Sequence, residues 1–125
     1  MKRVSLALGL VALAAILAAC STSAAASPAA PAGSLAAGPT VVAKDLAFSP
    51  TSVDAPAGTA FGLVFDNQEA PPHNIVISDA SGKQVFKGDI ISSTKITYSV
   101  PALAAGSYSF HCEVHPAMTG TIAAK

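Results

Sequence analysis

Charge is scarce in this chain. Only 11% of its 125 residues are Asp, Glu, Lys or Arg, seven acidic against seven basic, and the basic ones form no cluster. Nucleic-acid binding needs a positive patch or stripe, so that class is excluded. Cysteine is scarcer still, with Cys20 and Cys112 alone. A helical period is missing as well: beyond the first twenty residues no stretch repeats apolar positions every three to four residues. What remains is a short, apolar chain with room for one modest domain.

The first third does not belong to that domain. Lys2 and Arg3 are followed by an apolar, alanine-rich run over 4–19 that ends in Leu17-Ala18-Ala19-Cys20. This is the layout of a secretory signal peptide, too short for a comfortable membrane-spanning helix. Small residues before a cysteine resemble a bacterial lipobox, which implies that residues 1–19 are removed and Cys20 carries a lipid. Residues 21–39 are nearly all Ala, Ser, Pro, Gly and Thr. Such a segment buries too little apolar surface to offset its ordering entropy, and reads as a tether with a reach of about 25 Å. The expected organisation is a signal peptide over 1–19, a lipidated tether over 20–39 and a folded domain over 40–125. The protein is then exported, on the cell surface or in the periplasm, and anchored to a membrane by lipid. Without Lys2 and Arg3 five lysines face seven acidic residues, a net charge of 5 − 7 = −2 that says nothing about partners. With Cys20 acylated, no disulfide is expected, and Cys112 is a lone thiol in an oxidising compartment.

In the domain, clusters of Gly, Pro, Asn, Asp and Ser alternate with short runs rich in Val, Ile, Phe, Tyr and Thr. Strands are expected at 40–48, 52–55, 59–66, 74–79, 84–86, 94–100, 106–112 and 119–124. The alternation is clearest in 94–100, where Ile96, Tyr98 and Val100 share one face. The fold class is therefore all-β, a two-sheet β-sandwich of about seven or eight strands, for which the family resemblance described below implies Greek-key connections.

Chemistry concentrates near the C-terminus. Cys112, His115 and Met118 follow one another at three-residue steps, and His73 lies 39 residues before the cysteine. A thiolate, two imidazoles and a thioether form the ligand set of a mononuclear blue-copper electron-transfer site. Soft sulfur favours Cu(I), imidazole serves both oxidation states, and a compromise site needs little rearrangement when an electron moves. A thioether is a poor zinc ligand, which speaks against structural zinc, and a binuclear centre would need a second loop cysteine. His111 neighbours Cys112 in a strand and points to the opposite face, so it is read as a non-ligand. Glu69 precedes His73 and is read as a surface-loop carboxylate.

These segments resemble the cupredoxins, amicyanin-like members above all. Pro72-His73-Asn74 resembles the motif of the first ligand, and Tyr108-Ser-Phe-His-Cys112-Glu-Val-His115-Pro-Ala-Met118 the single loop that carries the other three. Phe65-Asp66-Asn67 and Gly120-Thr-Ile122 add to the likeness, which runs from about residue 41 to 124. The resemblance implies one copper, with His73, Cys112 and His115 as trigonal ligands, Met118 as a weak axial one, and Asn74 bracing the site. It implies a monomeric electron carrier, not an enzyme, that meets redox proteins transiently through an apolar patch of Pro71, Pro72, Pro116 and Ala117 around His115. Glu113, beside the thiolate, is expected to favour oxidised copper and lower the potential. Two alternatives compete. Copper delivery or buffering uses similar ligands, but methionine- or histidine-rich tracts are missing: Met1 and Met118 are the only methionines. A cysteine hydrolase would need oxyanion and orienting groups that the sequence does not show.

Overall fold

Strict alternation builds the inner faces. In the segment Phe61–Asn67 every second residue (Phe61, Leu63, Phe65, Asn67) is buried, and in Lys95–Val100 Tyr98 and Val100 face inward with Ile96 half-buried on the same side. The computed structural model describes residues 34–125, and its nine strands form two mixed sheets with no helix among them. They are β1 (Ala36–Lys44), β2 (Ala47–Ser49), β3 (Ser52–Ala55), β4 (Phe61–Asn67), β5 (Val76–Ser78), β6 (Gln84–Lys87), β7 (Lys95–Val100), β8 (Gly106–His111) and β9 (Thr119–Ala124). One sheet has the order β2-β1-β4-β7, the other β3-β9-β8-β5-β6. Pairings are antiparallel except β1 with β4 and β3 with β9.

Between the sheets lie Val41, Phe48, Phe61, Leu63, Phe65, Ile75, Ile77, Phe110 and Ile122, all buried. Each such side chain contributes about 1.5–3 kcal/mol by leaving water. Aromatic rings line up through this core: Phe110 packs on Phe48, Phe48 on Phe65, and Phe65 stacks on Tyr98 with ring centres 5.3, 6.2 and 5.7 Å apart. The Tyr98 hydroxyl donates to the Asp89 carbonyl. Burial, then the charges of Asp89 and Cys112, push that phenol well above the usual tyrosine range.

Two expectations change. The single strand over 40–48 is two, because Asp45 and Leu46 both take left-handed backbone angles (φ 54° and 56°) and turn β1 back on β2. Two positive φ values in succession make a hairpin turn whose twist matches the flanking strands. This gives nine strands rather than seven or eight. The second change is where the domain begins: β1 starts at Ala36, inside the stretch expected to be tether, and pairs in parallel with β4 from Ala36↔Phe61 onward. Small residues there form a strand because the β4 edge supplies hydrogen-bond partners, not because they have apolar bulk. The expected signal peptide and the lipidated Cys20 lie outside the described residues. No described helix is long and apolar enough to cross a membrane.

Candidate metal centre

The side-chain period of a strand delivers the thiol to the interior. Phe110 points into the core, so Cys112, two residues on, points the same way and is fully buried. His111 between them is half-buried, sits opposite Val76 and Thr119 in the sheet, and has no place in the donor cluster. After Cys112 the chain folds back on itself. Met118 N–H donates to the His115 carbonyl at 2.9 Å, closing a four-residue turn with Pro116 at its second position, where the fixed proline φ suits a β-turn. Cys112 N–H donates to the Met118 carbonyl at 3.0 Å. That is how C-x2-H-x2-M spacing gathers three donors at one place, with Met118 buried.

His73 arrives from the neighbouring strand of the same sheet, just ahead of β5, which pairs with β8. It precedes β5 instead of opening it, and is held by two backbone bonds exchanged with Ile91, at 3.0 and 2.9 Å. Its ring is fully buried. Its Nδ1 lies 3.6 Å from Cys112 Sγ and 3.1 Å from His115 Nδ1, and the thiol is 4.0 Å from His115 Nδ1. A metal with bonds of about 2 Å to nitrogen and 2.3 Å to sulfur produces a triangle of this size. The donor chemistry, thiolate with two imidazoles and a buried methionine alongside, fits a mononuclear type 1 copper.

The polar surroundings of this triangle are fully paired: among the described residues no buried side-chain nitrogen or oxygen lacks a partner. Asn74, entirely buried, accepts from Glu113 N–H through Oδ1 (2.9 Å) and donates through Nδ2 to the Gly88 carbonyl (3.1 Å) and Glu113 Oε2 (3.3 Å). It joins the segment carrying His73 to the loop carrying Cys112. Asn67 does the same for the opposite wall. Its Nδ2 donates to the carbonyls of Pro71 and Ile91 (2.9 and 2.8 Å), and its Oδ1 accepts from Glu69 N–H (3.0 Å).

Glu69 requires a correction. It is not a free surface carboxylate, for its Oε1 lies 2.8 Å from His73 Nε2 and its side chain is only 17% exposed. A carboxylate accepts, so Nε2 carries the proton and Nδ1 presents a lone pair towards the thiol. The sequence signal was the i, i+4 spacing of Glu69 and His73, which has no meaning in a loop until the loop's path is known.

Glu113 also differs from expectation. Lys87 Nζ reaches its Oε1 at 2.8 Å, and that hydrogen bond holds the Glu113 carboxyl below its usual range. Both groups are nearly half exposed, so the carboxylate's field at the metal is offset by an adjacent cation and screened by water. Glu113→Gln is expected to raise the copper midpoint potential only slightly, and Lys87→Gln to lower it by a similar small amount. Voltammetry of both variants checks the opposite signs.

Pro72, Pro116 and Ala117 are exposed, Pro71 and His115 half-buried. Three of the large exposed apolar residues, Leu46, Ile90 and Val114, adjoin the same loops.

The family model for the cupredoxin-like domain matches residues 9–124. Amicyanin of Paracoccus denitrificans is 35% identical over 57 residues, 45% of this chain and 43% of that protein. Plastocyanin of Capsella bursa-pastoris is 34% identical over 61 residues, 42% of this chain and 62% of that one. The chain thus spans less than two thirds of the length of both. Dithionite-reduced auracyanin of Roseiflexus castenholzii has the same fold, with a TM-score of 0.60 and 19% identity over 74% of this chain and 99% of that one. With the family match running almost end to end and the His, Cys, His and Met donors supplied by the segment before β5 and the loop between β8 and β9, the chain belongs to the cupredoxin-like domain family.

Proposed function

We propose that this protein is an exported blue-copper electron carrier, holding one copper on His73, Cys112 and His115 with Met118 as the weak fourth ligand. The observation that carries the reading is the asymmetry of the donor set: His73, Cys112 and Met118 are buried, and His115 alone keeps an edge towards solvent. Copper held there supplies one-electron Cu(II)/Cu(I) chemistry. The residues supply the rest. His73 and Cys112 are held by hydrogen bonds with Ile91, Asn74 and the Met118 carbonyl that involve none of the donor atoms, which keeps the donor positions from rearranging between oxidation states. The His115 edge gives an electron a short way in and out. Pro71, Pro72, Pro116 and Ala117 around it offer a small apolar surface suited to brief encounters with redox proteins.

Loading the purified protein with Cu(II) and recording its visible spectrum tests this. An intense thiolate-to-copper charge-transfer band, bleached by ascorbate and restored by an oxidant over repeated cycles, is the expected result. Tight Cu(I) binding with no such band would replace electron transfer with copper delivery or buffering.

The membrane anchor belongs to the same proposal and is supported by the Leu17-Ala18-Ala19-Cys20 sequence. Cys20→Ala is expected to release the protein from the membrane fraction and remove the lipid mass from its N-terminal peptide, while the blue band stays unchanged. Fractionation and mass spectrometry of the two forms check it.

A further inference from the structure

Glu69 is fixed at three of its groups by three separate segments. Its N–H donates to Asn67 Oδ1 (3.0 Å), and its carbonyl accepts from the Ser93 N–H and hydroxyl (3.0 and 3.2 Å). Its carboxylate oxygen Oε1 accepts twice, from His73 Nε2 at 2.8 Å and from Leu46 N–H at 3.1 Å. Two donors therefore share one oxygen, one on a fully buried ligand ring and the other on a residue that is 54% exposed. Leu46 is also strained: a left-handed φ of 56° in a residue with a side chain costs about 1–2 kcal/mol. Nothing in the core holds Leu46 there, since its side chain faces solvent. The β1 strand below the turn is held by the bond from Gln68 N–H to the Ala43 carbonyl (3.0 Å), and the turn itself is tied to the metal centre by the hydrogen bond to Glu69.

We propose that Glu69 is a positioning residue that couples the exposed Asp45–Leu46 turn to the ligand His73. The inference rests on the copper reading above and adds to it a means by which surface contact reaches the metal. By accepting from Nε2–H, the carboxylate fixes the tautomer in which Nδ1 is free to bind, orients the ring and makes Nδ1 more basic. Its negative charge favours the more positive oxidation state of a metal on the other side of that ring. The lone-pair density of Oε1 is divided between the ring and the Leu46 amide. When the amide is drawn away, the ring takes a larger share, and the oxidised state gains. The coupling is reciprocal: whatever changes the His73–Glu69 bond changes the hold on Leu46. Any displacement of the turn that draws the Leu46 amide away from Oε1 therefore lowers the potential of a copper held on His73.

Two measurements on the full chain test this. In copper-loaded Glu69→Gln an acceptor of the same shape remains and the charge is lost. The blue band is retained, and the preference for Cu(II) over Cu(I) falls about tenfold, a rise of about 59 mV for one electron. In metal-free protein, hydrogen exchange at the Leu46 amide accelerates about tenfold in Glu69→Ala and returns towards the wild-type rate in Glu69→Gln. A Glu69→Gln protein with its blue band intact and its potential unmoved overturns the electronic half of the proposal. Unaltered Leu46 exchange in Glu69→Ala overturns the coupling. If Glu69→Ala does not fold, the potential of Glu69→Gln still decides the electronic half, and exchange at Leu46 compared between metal-free and Cu(I) wild type decides the coupling, equal rates sinking it. A wild-type protein with no blue band at all defeats the copper reading instead, and the exchange measurement on metal-free protein stands independently of it.

Discussion

Cys112→Ser abolishes the thiolate-to-copper band completely and leaves the metal-free fold in place. The sulfur is the one donor in the triangle that can be ionised next to a metal and give an intense charge-transfer transition, and it is also the soft ligand that suits Cu(I). A serine hydroxyl at the same position stays protonated near neutral pH and is a hard donor. Cu(I) affinity therefore falls by orders of magnitude, while residual Cu(II) binding through His73 and His115 survives as a pale, colourless-to-weak species. The fold is spared because the backbone bond from residue 112 to the Met118 carbonyl involves no side-chain atom. The cost is limited to one hydroxyl in a site that is fully buried, about 1–3 kcal/mol. Absorption spectra with and without ascorbate, together with a thermal melt of the metal-free protein, check both halves. A retained blue band would remove Cys112 from the ligand set. A melted metal-free fold would mean that the cysteine is chiefly a packing residue.

The contrast between Cys112 and Glu69 shows what kind of information the sequence carried. Cys112, His115 and Met118 are close in sequence, and the turn through Pro116 that gathers them is local chemistry. His73 was legible because its neighbours Pro72 and Asn74 make a recognisable motif. Glu69 was visible as a residue near a ligand but not as its hydrogen-bond partner. The bond depends on a loop path set by Asn67, Ser93 and Ile91, partners up to 24 residues away. The same holds for Lys87 and Glu113, 26 residues apart and within reach only because β6 and β8 both pair with β5, at Val76↔Lys87 and Val76↔His111. Strand alternation was readable where bulky apolar residues recur, as at Ile96, Tyr98 and Val100. It was not readable at 36–39, where alanine, glycine and proline become a strand only through pairing with β4. The Asp45–Leu46 turn lacked the glycine or asparagine that normally marks a two-residue hairpin, so a break between β1 and β2 went unseen.

Register, the part of the fold least visible in sequence, gives rise to the second large effect. Gly120→Ala is expected to destabilise the protein by about 1–3 kcal/mol through overpacking, lowering the melting temperature by several degrees to about 20 °C at the usual 4–8 °C per kcal/mol for a domain of this size. Gly120 stands directly opposite Phe110 in the β8–β9 ladder. A β-carbon placed on it would meet the Phe110 ring at 2.2 Å, far inside contact distance. The ring cannot retreat, because it is 1% exposed and packed on Phe48 with centres 5.3 Å apart. The added methyl therefore pushes β8 and β9 apart at a sensitive place. Phe110 lies two residues before Cys112, and Gly120 two residues after Met118, so both ends of the ligand loop move. Copper-loaded Gly120→Ala should accordingly show a shifted charge-transfer band as well as a lower melting temperature. Phe110→Leu supplies the decisive comparison. A smaller side chain leaves a cavity in the wild-type background and should destabilise it, yet the same change should cost less, or even stabilise, in the Gly120→Ala background, since it vacates the space the methyl needs. Strictly additive effects in the double variant would mean that the two residues do not press on one another, and that the glycine is required for some reason other than the ring that covers it.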